Sequence, residues 1–220
     1  MKRTISILTL GAVVLLLTCA CVGPTAENPT PTAEPTAENP TPTAEPTADP
    51  TPNSLPTDVR NARWGMTKDE VKAVEKENII DEEETDILFN GRVSNKDCNI
   101  LYSFNDKGEL YRVALLFEEA HTNPNRYISD YNTIKEGLIE KYGKPELPTD
   151  SFWDGGERLY KDNPSDYGMA VLMGYLQYLS TWDNKKTSIS LSLRGVSRKA
   201  NLIVTYESKK IDAPKEDSDL

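Results

Sequence analysis

Histidine, cysteine, positive charge and long apolar runs are what this sequence has least of, and each shortage removes a class of function. One histidine in 220 residues rules out any multi-histidine metal centre. That residue, His121, lies in Glu118-Glu119-Ala120-His121-Thr122-Asn123-Pro124, where the proline and polar neighbours predict a loop and an exposed, non-catalytic ring. Of the three cysteines, Cys19 and Cys21 stand together near the N-terminus, which leaves Cys98 alone in the rest of the chain. A disulfide within that remainder is therefore excluded. Beside apolar strand residues, Cys98 reads as a small buried hydrophobe and not as a nucleophile.

The longest apolar segment, Ile5 to Leu17, has about 13 residues, short of the roughly 20 that a membrane-spanning helix needs. Motifs for chemistry are missing as well. No serine has the glycine-x-serine-x-glycine context of a nucleophile elbow. Gly155-Gly156 follows Trp153-Asp154 without the lysine and threonine of a phosphate loop, so it reads as a surface turn, and there is no dinucleotide fingerprint. The run Asp81, Glu82, Glu83, Glu84 and Asp86 lacks the alternating ligands and central glycine of a calcium loop. It reads as a solvated acidic turn. Catalytic residues, metal ligands and cofactors are accordingly expected to be none.

What is present begins with an export signal. Lys2 and Arg3 form a positive start, the Ile5–Leu17 segment an apolar core, and Leu17-Thr18-Cys19-Ala20-Cys21 a small-residue end. This segment resembles the lipobox of bacterial lipoproteins, in which cleavage precedes a cysteine whose sulfur carries diacylglycerol. The resemblance implies lipid attachment at Cys21, with Ala20 as the small residue before it. Thr18 stands where the family usually has an aliphatic residue, and Thr18 and Ala20 also satisfy the rule for ordinary cleavage after Ala20. Two acyl chains would anchor the protein stably, so the expected location is the cell membrane, lipid-anchored and facing outside the cytoplasm.

Residues 21–55 read as a linker. Pro24 to Glu34 recurs as Pro35 to Glu45, with a shorter copy ending at Asp49, and the unit contains no aliphatic side chain larger than alanine. Stacked copies would have no core to share. Proline favours extended chain, so about 30 residues at about 3.1 Å each would reach up to roughly 90 Å.

Residues 56–210 read as one domain, followed by an acidic tail over 211–220. Setting Lys2 and Arg3 aside from the 25 basic residues leaves 23 against 35 acidic ones. A body of that sign repels nucleic acid and anionic lipid, so no nucleic-acid partner is expected.

Within the domain, Thr67-Lys68-Asp69-Glu70 has the form of a capping box and opens a helix. Ile87, Leu88 and Phe89 suggest a strand; Ile100, Tyr102 and Phe104 then alternate into a turn at Asn105-Asp106-Lys107-Gly108, and Tyr111, Val113, Leu115 and Phe117 alternate on the return. Tyr131, Ile134, Leu138 and Tyr142 line one side of a second helix that stops at Gly143 and Pro145. Gly174 to Trp182 reads as a strand, while Pro164 to Met173 is open between helix and strand. Ile189, Leu191 and Leu193 alternate with serines, and Leu202, Val204 and Tyr206 follow, which predicts a polar face open to water.

The class is thus α+β: two helix-plus-three-strand units forming an antiparallel sheet with helices packed on one face. Trp64-Gly65-Met66-Thr67-Lys68-Asp69-Glu70-Val71 and the later Tyr142-Gly143-Lys144-Pro145 resemble the punctuation of beta-lactamase-inhibitor-like and outer-membrane-assembly lipoprotein domains. Their members mostly bind other proteins and catalyse nothing.

Trp64, Trp153 and Trp182, with Tyr160, Tyr167, Tyr175 and Tyr178, are candidates for a sugar or peptide platform on the open face, although core packing is the commoner use of such residues. Phe152 and Trp153, in what reads as a loop, are the candidate binding residues. The expected function is a lipid-anchored, non-catalytic domain that binds a protein or cell-wall component. The alternative is an envelope hydrolase acting on glycan or peptide through carboxylates such as Asp154 and Glu157.

Overall fold

The computed structural model describes residues 57–147 and 151–214. The expected signal and the whole linker over 21–55, Cys21 included, together with residues 215–220 of the tail, lie outside the described residues. Those described belong to a single unit, Asp49–Leu220.

Its frame is one antiparallel sheet of eight strands. Chain order runs α1 (Lys68–Val74), β1 (Asn78–Glu82), β2 (Asp86–Val93), β3 (Lys96–Phe104), β4 (Leu110–Phe117) and α2 (Asn125–Tyr142). Then come β5 (Ser151–Trp153), α3 (Glu157–Tyr160), a short 3-10 turn at Pro164–Asp166, α4 (Tyr167–Leu172), β6 (Leu176–Asp183), β7 (Thr187–Val196) and β8 (Lys199–Ser208). The strand order is β1-β2-β3-β4-β8-β7-β6-β5. Two meanders are therefore zipped together where β4 meets β8, with Leu115 opposite Val204. The α+β class with an antiparallel sheet is as expected, and β1 and β5 form the two edges of that sheet.

Local chemistry accounts for the elements. At the start of α1 the Thr67 N–H donates to Glu70 Oε2 at 2.8 Å and the Glu70 N–H donates to Thr67 Oγ1 at 3.4 Å, the reciprocal capping box. Along α2, Tyr131, Ile134 and Leu138 are buried, three and four residues apart, and the helix ends at Gly143 with φ +85°. The β3–β4 turn is held by Asn105, whose Oδ1 accepts from the Lys107 and Glu109 N–H groups. Two-residue turns at Ser94-Asn95 and Ser197-Arg198 take positive φ at both positions without any glycine.

Among the described residues, all the covering elements lie on one side. Ile87, Phe89, Ile100, Tyr102, Val113, Leu115, Leu191, Leu193 and Val204 form the inner face and are 0–3% exposed. Each full side chain removed from water there contributes about 1.5–3 kcal/mol. Tyr131 of α2 shares a 2.8 Å hydrogen bond with Ser180 of β6, and Trp182 Nε1 donates to Gly143 O at 2.7 Å. Close approach of α4 requires glycine twice. A Cβ on Gly195 would sit 2.0 Å from Val171 O, and one on Gly168 would sit 2.3 Å from Asn125 N.

The structure corrects one expectation about the elements and decides one left open between helix and strand. The acidic stretch is not all turn, because Asn78–Glu82 pairs with β2 as an edge strand, every residue of it exposed. Backbone pairing with β2 suffices to hold a strand that buries no side chain. Pro164–Met173 resolves as the 3-10 turn and α4. No helix among the described residues is long and apolar enough to cross a membrane.

Candidate functional site

The outer face of the sheet is built by the same strands that make the core, one residue out of phase. Register fixes its rows. Leu88 stands beside Leu101, Leu101 beside Ala114, Ala114 beside Thr205, Thr205 beside Ser190 and Ser190 beside Thr181. In the next row Asn99 faces Leu116, Leu116 faces Ile203, Ile203 faces Ser192 and Ser192 faces Leu179. The face is thus divided. Leu88, Leu101, Ala114, Leu116 and Ile203 form a contiguous apolar diagonal over β2, β3, β4 and β8, and hydroxyl groups cover β7. The polar face expected from the serines of β7 is there, but the apolar half is an addition to it.

Most of these outer side chains are only half-buried, and the contacts that α1, α2 and α4 make with sheet side chains fall on inner-face residues. A contiguous apolar patch without a covering helix marks an interaction surface more often than an isolated exposed leucine does.

Phe152 and Trp153 lie on β5 and not in a loop. Adjacent strand residues point to opposite faces, and these two do. Trp153 packs inward, edge-on to Tyr167 at 5.4 Å, whereas Phe152 lies opposite Gln177, points outward and is 45% exposed. The aromatic platform is not on the outer face. Trp182 is core, and Trp64, Trp153, Tyr160, Tyr167, Tyr175 and Tyr178 pack against it; Trp64 Nε1 donates to Thr187 Oγ1 at 2.9 Å.

Two polar clusters lie on or beside the inner side. In the first, Glu75 at the end of α1 receives Arg60 Nε at 3.2 Å, Arg60 Nη2 at 3.4 Å and the Tyr102 hydroxyl at 2.5 Å. Burial works against the Glu75 charge, but the Arg60 and Tyr102 hydrogen bonds outweigh it and hold the carboxyl below the ordinary glutamate range. Burial, and then Glu75, push the Tyr102 hydroxyl up. Every strong group here has a partner.

The second cluster is His121 with Glu119, Asp130 and Lys96. The His121 side chain is 6% exposed, not the exposed ring its loop context predicts. Its backbone N–H donates to Tyr127 Oη at 3.1 Å, and its ring lies 4.8 Å from that of Tyr127. Nε2 donates to Asp130 Oδ2 at 2.5 Å. Lys96 Nζ bridges Asp130 Oδ1 at 2.7 Å and Glu119 Oε2 at 3.2 Å. Burial opposes the Asp130 charge, yet Lys96 and His121 hold its carboxyl below the usual aspartate range. The sequence supplied Glu119 and His121 in one run, but no local signal links them to residue 96 or residue 130. Only the closing of the β2–β3 hairpin against α2 brings them together.

In three clefts among the described residues, carboxylates do not converge beside aromatic side chains; one of about 690 Å³ gathers Asp106, Glu109 and Asp212 without aromatic lining. A cavity of about 230 Å³ between α2 and the sheet is lined by Leu115, Ile134, Leu138 and Val204, with Arg60 and Lys141 among its charged residues. Another of about 230 Å³ gathers Asp97, Glu118 and Glu119 beside Cys98, without aromatic lining. Burial pushes the Cys98 thiol up to about 11, which keeps it protonated and unreactive near neutrality. Asp154 and Glu157 are exposed and line none of these three clefts, and Glu157 pairs with Lys161 at 3.6 Å.

The chain matches no family model, no curated protein and no solved structure.

Proposed function

We propose that this chain is a lipid-anchored envelope protein, attached through Cys21 and displaying a non-catalytic domain that binds a protein or cell-wall component. The observation that carries the binding reading is the outer face, where Leu88, Leu101, Ala114, Leu116 and Ile203 adjoin without a helix above them among the described residues. An antiparallel sheet folds stably with that side polar. The apolar half therefore exceeds what folding asks for and suits a partner that buries it. Phe152, outward-facing and 45% exposed, is the further contact retained from the candidate pair.

Within the domain we read two helix-plus-three-strand units, β2–β4 and β6–β8, joined along β4 and β8, with β1 and β5 as edge additions. The resemblance to beta-lactamase-inhibitor-like and outer-membrane-assembly lipoprotein domains supports the same non-catalytic use. The acidic balance of the chain, 35 acidic against 25 basic residues, disfavours nucleic acid as the ligand.

The test is cross-linking of the intact protein in its native envelope, in parallel with a Cys21→Ser variant. The expected result is one reproducible protein or wall fragment captured by the wild type, with the variant released from the membrane fraction. Capture of nothing, or an unmodified Cys21 thiol in the membrane-bound protein, would overturn the proposal.

A further inference from the structure

We propose that Glu119, His121 and Asp130 form a binding site for a divalent transition metal of the zinc class, with the Lys96 ammonium as its competing cation. One donor atom from each of the three residues lies within 4.8 Å of the others. In a tetrahedral zinc site with donors near 2.0 Å from the ion, ligand atoms stand about 3.3 Å apart. Here His121 Nε2 is 2.5 Å from Asp130 Oδ2 and 3.8 Å from Glu119 Oε2, values on either side of that spacing. Adjustments of about an ångström in the side chains would admit an ion.

The donor set selects the class. An imidazole with two carboxylates suits zinc and its first-row neighbours, whereas calcium and magnesium take oxygen alone, and thiolate-seeking ions find no cysteine among these three. Three protein ligands would leave at least one coordination position for solvent. The ring is positioned in advance, since its loop is tied to Tyr127 through the backbone N–H and Asp130 is held on the buried side of α2. On binding, the ion takes the Nε2 lone pair and the ring proton resides on Nδ1.

Charge points the same way. A simple ion pair needs one carboxylate for one ammonium, but the Lys96 Nζ is shared by two carboxylates. With a neutral imidazole the cluster carries one excess negative charge. Lys96 adjoins the Ser94-Asn95 turn, and its flexible four-carbon stem can carry the ammonium out to water. Metal uptake is then an exchange of one cation for another, so the lysine weakens the site that its removal would strengthen.

Titration of the full chain with zinc chloride, followed by calorimetry, tests this directly, with calcium chloride as the control ion. The wild type should take up one zinc and no calcium. His121→Ala should weaken binding at least tenfold, and so should Glu119→Gln, whose side chain is 34% exposed and whose substitution keeps the size and shape of the side chain. Lys96→Met should tighten binding about tenfold, because it removes a positive charge from beside the ion. Circular dichroism of each variant separates loss of a ligand from loss of the fold, and if His121→Ala unfolds, Glu119→Gln decides. Absence of saturable zinc uptake in both wild type and Lys96→Met would overturn the site. So would zinc affinity indifferent to Glu119→Gln, or a Lys96→Met variant that loses stability without gaining affinity, the behaviour of an ion pair alone.

Discussion

The two faces of the one sheet are made by the same strands and differ in what finishes them. On the inner face alternate residues are sealed by α1, α2 and α4, and Ile87, Ile100, Leu191 and Leu193 are fully buried. On the outer face Leu88, Leu101, Leu116 and Ile203 are equally apolar and remain half-exposed. Burial on the first accounts for the fold. Apolar surface on the second has no covering helix among the described residues, and on the proposed reading the difference separates residues kept for stability from residues available to a partner.

Substitutions on the two faces should therefore differ in kind. The largest effect belongs to the inner face: Leu191→Ala should cost about 2–5 kcal/mol in chemical denaturation. A loss below about 1 kcal/mol would mean that the inner side is not the closed core described. Next comes Glu75→Ala, which strands the Arg60 guanidinium and the Tyr102 hydroxyl and should cost about 2–3 kcal/mol. Thr67→Ala removes one half of the capping box and should cost about 1 kcal/mol. Leu116→Ser on the outer face should change stability by less than about 1 kcal/mol while weakening partner capture. Equal destabilisation by Leu116→Ser and Leu191→Ala would erase the contrast.

Acid should sharpen it further. Glu75 and Asp130 both have carboxyls held below their ordinary values in the folded protein. Such groups contribute stability that is present above the unfolded-state value, near about pH 4, and lost as pH falls through the folded one. Thermal midpoints should hold from neutrality to about pH 5 and then drop, and Glu75→Gln should flatten part of that drop. The outer face holds neither group and should not alter the profile, so Leu116→Ser should track the wild-type curve at every pH.

Much of this arrangement was legible in the residues. The capping box at Thr67 and Glu70, the Tyr131-Ile134-Leu138 stripe, the Asn105–Gly108 turn and the serine alternation of β7 all carry local signals, and local signals survive folding. The edge strands did not show themselves. β1 buries no side chain and β5 has three residues, so neither leaves a hydrophobic period to read. The Ser94-Asn95 and Ser197-Arg198 turns lack the glycine that usually announces positive φ. Pairing of β4 with β8 joins residues about 90 positions apart, and no pattern within either strand specifies its neighbour. The same distance hid the apolar diagonal, which exists only when Leu101, Leu116 and Ile203 are set side by side. It also hid the cluster around His121, whose partners come from β3 and α2. Phe152 and Trp153 fail as a pair for the opposite reason: they are neighbours in the chain, and the strand turns them to opposite faces.

The most direct measurement places a photo-cross-linking residue at Ser190, Leu116 or Glu136 in turn and irradiates cells carrying the full chain. Ser190 and Leu116 lie on the outer face, and Glu136 is exposed on α2. The expected result is the same captured species from Ser190 and Leu116 and none from Glu136. Capture from Glu136 with silence at both sheet positions would contradict the assignment of the open face as the binding surface.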